Sequence, residues 1–511
     1  MSGPGRARTQ GPRRLGVLAL TLTVGLAAVA LPVVAGLGGL ELPWPGWPWK
    51  RKTQGLDPTA PVDPDRRYHL VVWDYRLPFT SPSGTPFSTA TEEAIRRFTD
   101  RYPNVTVDLH LLDLDDGPSE LAQALVAGYP PDVYCSPYGT PAVGSSLQVP
   151  VGLYLDASSW ADYHPVAWQA VKVEGTVWAW PRWLLLWPWL GNRDLLEKAG
   201  YDPEQVSEVG WTREELTALG RRLAQVGTGG ARTLAIPSPT VLLRDILFTP
   251  CLASASGGSP ADWWAGPEPA AAVEWLDGLR ESGQLLLGDK GTSPRVIEAF
   301  AEGRAAVLVP PSPWAALFLL EPVKRPAAWQ FRLPSRAGRP ELVLVPPPQD
   351  PAGTGRSLVW VSAATVAVFR HARYKGDDNT RLAVELAREL TRGYRVWLRD
   401  QPLCVPARAG EVESWRASCE RLGDAGAFAV RCFDALAALP RADLAAALTT
   451  LTYGPLVELV HPSTDAGLSP GPTYLGPFLA GLAETVEGFC RGQVPRETLI
   501  TELGGRLSEP P

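Results

Sequence analysis

His69-Leu-Val-Val-Trp-Asp-Tyr75 is a short apolar run, and Val105-Thr-Val-Asp-Leu-His-Leu111 alternates apolar and polar residues. Both read as strands. Between them Thr89 to Arg101 has the period of an amphipathic helix, with Ala90, Ala94, Ile95 and Phe98 on one face. Glu93 and Arg97 are spaced for an i,i+4 pair, and Pro103 stops the helix. Ser119 to Ala127 reads as a second helix, capped by Ser119 and ended by Gly128, and Asp132-Val-Tyr134 begins a third strand. Strand, helix, strand, helix, strand implies a parallel sheet with helices on its faces, so the fold class is α/β.

The pattern recurs downstream. Thr212 and Glu215 have capping-box spacing before a helix carrying Leu216, Leu219 and Leu223. Ser293-Pro294 opens another helix, with proline at the first helical position. Ala305 to Val309 and Leu358 to Phe369 read as strands, and Thr380 to Leu390 and Gly471 to Leu507 as helical. A chain of 511 residues exceeds what one hydrophobic core usually holds, so at least two lobes are expected.

Upstream, Arg6, Arg8, Arg13 and Arg14 precede an uncharged, mostly apolar run from Leu15 to Leu40, the pattern of an export signal. The run exceeds the ~20 residues that span a bilayer, which favours an uncleaved anchor. Cleavage after Val33-Val34-Ala35 is the alternative. The proline-rich stretch 41–65 reads as a stiff spacer, with Trp44, Trp47 and Trp49 suited to a membrane–water interface. No cysteine precedes Cys135, which argues against a lipid-modified anchor.

Composition narrows function further. The net charge is −6, with 48 basic against 54 acidic residues, and gives no footprint for nucleic acid. The five histidines form no HExxH motif, and there is no GxSxG, P-loop or strand-to-helix GxGxxG. The six cysteines include no CxxC pair, so neither a metal nor a cofactor is expected. Three of them, Cys404, Cys419 and Cys432, are close in sequence. A local disulfide there and buried free thiols are the two readings. Asp113-Leu-Asp-Asp-Gly117 departs from the spacing of a calcium loop and reads as a solvated turn.

Five segments, in order, resemble the extracellular solute-binding proteins of ABC-type importers, the family-one, maltose-binding-like group. Val71-Val-Trp73 leading to Phe98-Thr-Asp-Arg-Tyr-Pro103 is similar to that family's first strand and F-x-x-x-Y-P helix end. Leu121 to Val133 resembles its L-x-x-A-x-A-x-G-x-x-P-D-V segment. Gly175-Thr-Val-Trp-Ala-Trp-Pro181 followed by Asn192-Arg-Asp-Leu-Leu-Glu-Lys-Ala-Gly200 looks like its crossover. Ala299 to Val307 with Pro313-Trp314 resembles its F-x-x-G-K-A-A-M and G-P-W pair, and Val405-Pro-Ala-Arg408 its l-P-v-R turn. Val307 and Ser312 depart from the motif, and Leu184-Leu-Leu-Trp-Pro-Trp189 is more apolar than is usual.

The resemblance implies a periplasmic-binding-protein-like type II fold: two α/β lobes joined by a multi-strand hinge, closing on a solute without catalysis. Residues 66–181 and 305–360 are expected in the first lobe, 182–304 and 361–511 in the second. It also implies that the closed form docks on permease subunits. The N-terminal segment places the protein outside the cytoplasm, held by its helix or released by cleavage, and a monomer is expected because the sequence offers no oligomerisation signal. Sugar is inferred from the family and from 20 tryptophans, since an indole offers a flat apolar face for stacking. The candidate plates are Trp314, Trp180, Trp73, Trp183, Trp360, Tyr134 and Tyr138, and the polar candidates are Asp74, Arg182 and Arg76. A membrane-anchored sensor or scaffold on the same two lobes is the rival reading, and a carbohydrate hydrolase is the weakest.

Overall fold

The computed structural model describes residues 55–508, save 78, 115, 138, 140–144, 174, 229, 243–245, 248–265, 289–292, 311–312, 321–337, 349–359 and 438–484. The chain divides between Lys52 and Thr53 into two units, and the described residues all belong to the second. The signal or anchor expected at 1–40, and most of the spacer, lie outside the described residues. No described helix is long and apolar enough to cross a membrane.

The opening follows the sequence closely. Strand β1 (Tyr68–Tyr75) buries Leu70 and Val72, α1 (Ser88–Arg101) buries Ala90, Ala94 and Phe98, and β2 (Val105–Leu112) pairs parallel to β1. Arg97 turns away from the expected Glu93 pairing, because buried Glu389 on a neighbouring helix lies 2.8 Å from its Nε. Helix α2 (Gly117–Ala127) starts two residues before Ser119 and ends at Gly128, whose φ of 78° is the left-handed conformation that glycine adopts at low cost. Strand β3 (Val133–Ser136) follows, then α3 (Ala157–Asp162), α4 (Pro165–Gln169) and β4 (Ala179–Trp187).

Beyond Pro188 the chain enters β5 (Trp189–Asn192), α5 (Arg213–Gln225), β6 (Arg232–Ile236), α6 (Pro267–Glu281), β7 (Leu285–Leu287), α7 (Pro294–Ala301), β8 (Ala305–Leu308), α8 (Pro313–Leu320) and β9 (Leu342–Val345). The capping box of α5 is formed, Glu215 N donating to Thr212 Oγ1 at 3.1 Å and Thr212 N to Glu215 Oε2 at 2.8 Å. Next come β10 (Trp360–Val368), α9 (Asp377–Glu389), β11 (Cys404–Pro406), α10 (Gly423–Ala437) and α11 (Arg496–Ser508).

Two main sheets result. The first has the order β11-β4-β10-β3-β1-β2, the second β9-β5-β8-β6-β7. The sheet pairings correct the expected lobe boundaries. All of β4 lies in the first sheet and the crossing falls at Pro188 rather than after Pro181. Strand β8 pairs with β5 and β6 in the second sheet, whereas 305–360 was expected to return to the first. The return comes with β10, which pairs with β3 and β4, so 361–406 is not part of the second lobe. Each of these strands is buried on both faces, so its own residues mark burial but not which sheet takes it. One apolar cluster fills the first lobe and continues through Trp187, Ala316 and Leu319 to Leu308 and Leu344 of the second sheet; another covers that sheet's other face.

Candidate functional site

Strands β1, β3 and β4 are parallel to one another and end at Tyr75, Ser136 and Trp187 along one edge of the first sheet. Strands β6, β8 and β9 end at Ile236, Leu308 and Val345, the edge at which β5 begins with Trp189. Pro188 alone links Trp187 to Trp189, so both carboxyl edges meet at this crossing. Open α/β sheets bind ligands outside the carboxyl ends of their strands.

Aromatic residues concentrate there. Trp187 is buried and donates Nε1–H to Ser362 Oγ at 2.8 Å, which ties β4 to β10 at the crossing. Trp189 is fully buried in the second core. Trp360 opens β10 in register with Trp187, and Trp314 is the second residue of α8, just beyond the end of β8. The side chains of Trp314 and Trp360 lie outside the description. Sequence reasoning did not single out Trp187, Trp189 or Ser362. Its available signal was a proline flanked by two tryptophans inside an otherwise apolar run.

Other candidates go elsewhere. Trp180 is packed in the first core among Tyr163 and Trp168, with the Arg388 guanidinium 5.7 Å from its ring centroid. Trp183 is equally buried, 5.0 Å from Tyr394 and edge-on to Phe87. These two expected plates fill the core because β4 is an interior strand with both faces covered. Trp73 is half-buried against His110. Tyr134 is buried with its hydroxyl bonded to that of Tyr75, and burial pushes its pKa well up. Tyr138 lies outside the described residues.

The polar candidates neutralise one another. Asp74 takes both Nη atoms of Arg182 at 3.1 and 3.2 Å and also the Thr91 hydroxyl, all buried. The Arg182 guanidinium packs against the rings of Phe87 and Trp183, at 5.3 and 5.0 Å from their centroids. A charge so paired and enclosed holds strands together and is not presented to a solute. Arg76, at the carboxyl end of β1, pairs with exposed Asp113 at 3.1 Å. The turn 113–117 has its own packing reason for glycine: a Cβ on Gly117 would come within 2.6 Å of the Tyr75 ring. Among the described residues no group of three or more His, Cys, Asp or Glu is placed to hold a metal. Cys135, Cys404, Cys419, Cys432 and Cys490 are free, so the free-thiol reading of the 404–432 group holds.

The family model for bacterial extracellular solute-binding proteins matches residues 81–375. No curated protein matches the sequence significantly. Solved structures do match in fold. The GacH receptor of Streptomyces glaucescens GLA.O, described unliganded and with acarbose, is 17% identical, with 86% of this chain and 97% of that chain covered at a TM-score of 0.54. Maltose-bound MalE3 of T. maritima is 16% identical over 86% and 99%, TM-score 0.57. The Thermus thermophilus maltotriose-binding protein is 15% identical over 86% and 98%, TM-score 0.53.

Proposed function

The chain belongs to the bacterial extracellular solute-binding proteins, and from that premise we propose that it is the receptor of an ABC-type importer for a sugar or oligosaccharide. The observation that carries this reading is the crossing at Pro188, where the carboxyl edges of both sheets meet, with Trp314 just beyond the end of β8 and Trp360 at the start of β10. Indoles at such an edge suit the apolar C–H faces of a pyranose, and the hydroxyl rim is left to hydrogen-bonding groups of the surrounding loops. Solute binding would draw the lobes together about the crossing strands, and the permease would read the closed form.

In this reading the protein is a monomer that performs no chemistry on its ligand. It works on the outer side of the membrane, tethered by its N-terminal helix or released by cleavage. The ligand plates narrow to Trp314 and Trp360 first, with Trp73 and Tyr138 beside them. Thermal denaturation of the full chain against mono- and oligosaccharides, polyols and peptides tests the reading. A ligand at a hundred times its Kd that binds only the folded state adds ~2.7 kcal/mol. Stabilisation by one sugar class supports a sugar receptor. Stabilisation by peptides alone, or by no solute, contradicts it.

A further inference from the structure

Far from the crossing in sequence, three arginines converge on one carboxylate oxygen. Asp162, the last residue of α3, has its Oδ2 at 2.9 Å from Arg388 Nη2, 3.2 Å from Arg408 Nη2 and 3.7 Å from Arg392 Nη2. Arg388 is on α9, Arg392 just beyond its end, and Arg408 two residues past β11. One negative charge faces three permanent positive ones. The surrounding carboxylates relieve this only in part. Glu389 is engaged by Arg97 at 2.8 Å and reaches Arg392 at 3.5 Å, and Glu411 is 3.9 Å from Arg408 Nε. Exposed Asp156 is near enough to Arg388 to interact electrostatically.

Two features prepare the group for a ligand. Arg388 and Arg408 are braced on aromatic faces, 5.7 Å above Trp180 and 5.2 Å above Tyr163, so their planes are fixed before anything binds. Arg388 and Arg392 each bury an Nε that has no hydrogen-bond partner among the described residues. The Arg392 and Asp162 side chains remain 39% and 30% exposed, which leaves a way in from solvent.

We propose that Arg388, Arg392 and Arg408 form a binding site for a tetrahedral oxyanion of the phosphate or sulfate class, in which Asp162 competes with the ligand. Guanidinium forks suit such an anion because they donate paired, charge-assisted hydrogen bonds. The test is calorimetric titration of the full-length protein with inorganic phosphate, together with its melting temperature in phosphate and in chloride at equal ionic strength. Phosphate should bind and raise the melting temperature where chloride does not. R392Q, at the most exposed of the three, should weaken binding several-fold, and D162N should tighten it. The absence of a phosphate-specific shift in the wild-type protein would overturn the proposal. So would a shift undiminished in R392Q, or a D162N protein that folds and binds no more tightly.

Discussion

Asp74 and Arg182, 108 residues apart in sequence, meet inside the first lobe as a buried ion pair, with side chains only 2% and 3% exposed. Removing one partner strands the other charge in the core, which costs about 3–5 kcal/mol. Arg182→Met and Asp74→Asn should each lower unfolding free energy on that scale in urea titrations. A double variant apolar at both positions should recover much of the loss. A single variant within experimental error of wild type contradicts the buried pairing.

The crossing has its own polar tie. Ser362→Ala removes the acceptor of the Trp187 indole and leaves a buried N–H unpaired, which costs about 1–3 kcal/mol. Trp187→Phe in the same background should cost less than in wild type, because the hydrogen bond is already gone. Additive losses in this double-mutant cycle would mean that the two side chains do not interact.

Stability should fall on mild acidification. His164 caps α4 by accepting from Val166 N at its Nδ1, 3.3 Å away, and its ring packs on Phe433. Burial first, then the Arg416 charge, lower its pKa below the usual 6.5, and burial and Lys375 do the same to His371. A histidine depressed in the folded state binds its proton more readily when unfolded. Its stabilising contribution is therefore complete above pH 6.5 and lost as the pH drops through the folded pKa. Urea titrations between pH 8 and 5 should show this loss. His164→Asn, which keeps a capping acceptor, should reduce the slope, leaving the share of His371. An unchanged slope contradicts the role given to His164.

The five described thiols should be inert in the native protein; Cys251 lies outside the described residues. Burial pushes Cys432 and Cys490 up to about 12 and Cys419 to about 11, and Cys135 and Cys404 higher still. Thiolate is the reactive form, so alkylation at pH 8 should be slow before unfolding and fast after it at all five positions. Rapid labelling of any of these five in the native protein, or one of them that appears only after reduction, contradicts the assignment.

Much of this was legible in the residues, and the limits have physical causes. A short apolar run located β1, period-two and period-3.6 patterns located β2 and α1, and the spacing of Thr212 and Glu215 located the cap of α5, because each signal is local to its element. Strand β4 carries no such alternation: all nine of its residues are buried, so nothing within it says that Trp180 and Trp183 belong to the core. The Asp74–Arg182 pair is a tertiary fact, and two charges beside aromatic residues look equally suited to a ligand until the fold brings them together. The motifs marked where the chain crosses, but strand pairing alone decided that β8 stays in the second sheet and β10 returns to the first.

The most direct test of the receptor assignment is calorimetric titration of the full chain with maltose-type oligosaccharides, run in parallel on Trp314→Ala. The account predicts saturable binding to the wild-type protein, at least tenfold weaker in the variant, with a similar melting temperature for both unliganded proteins. Saturable binding that Trp314→Ala leaves intact would contradict the placement of the site. No binding of any saccharide by folded wild-type protein would contradict the sugar-receptor function itself.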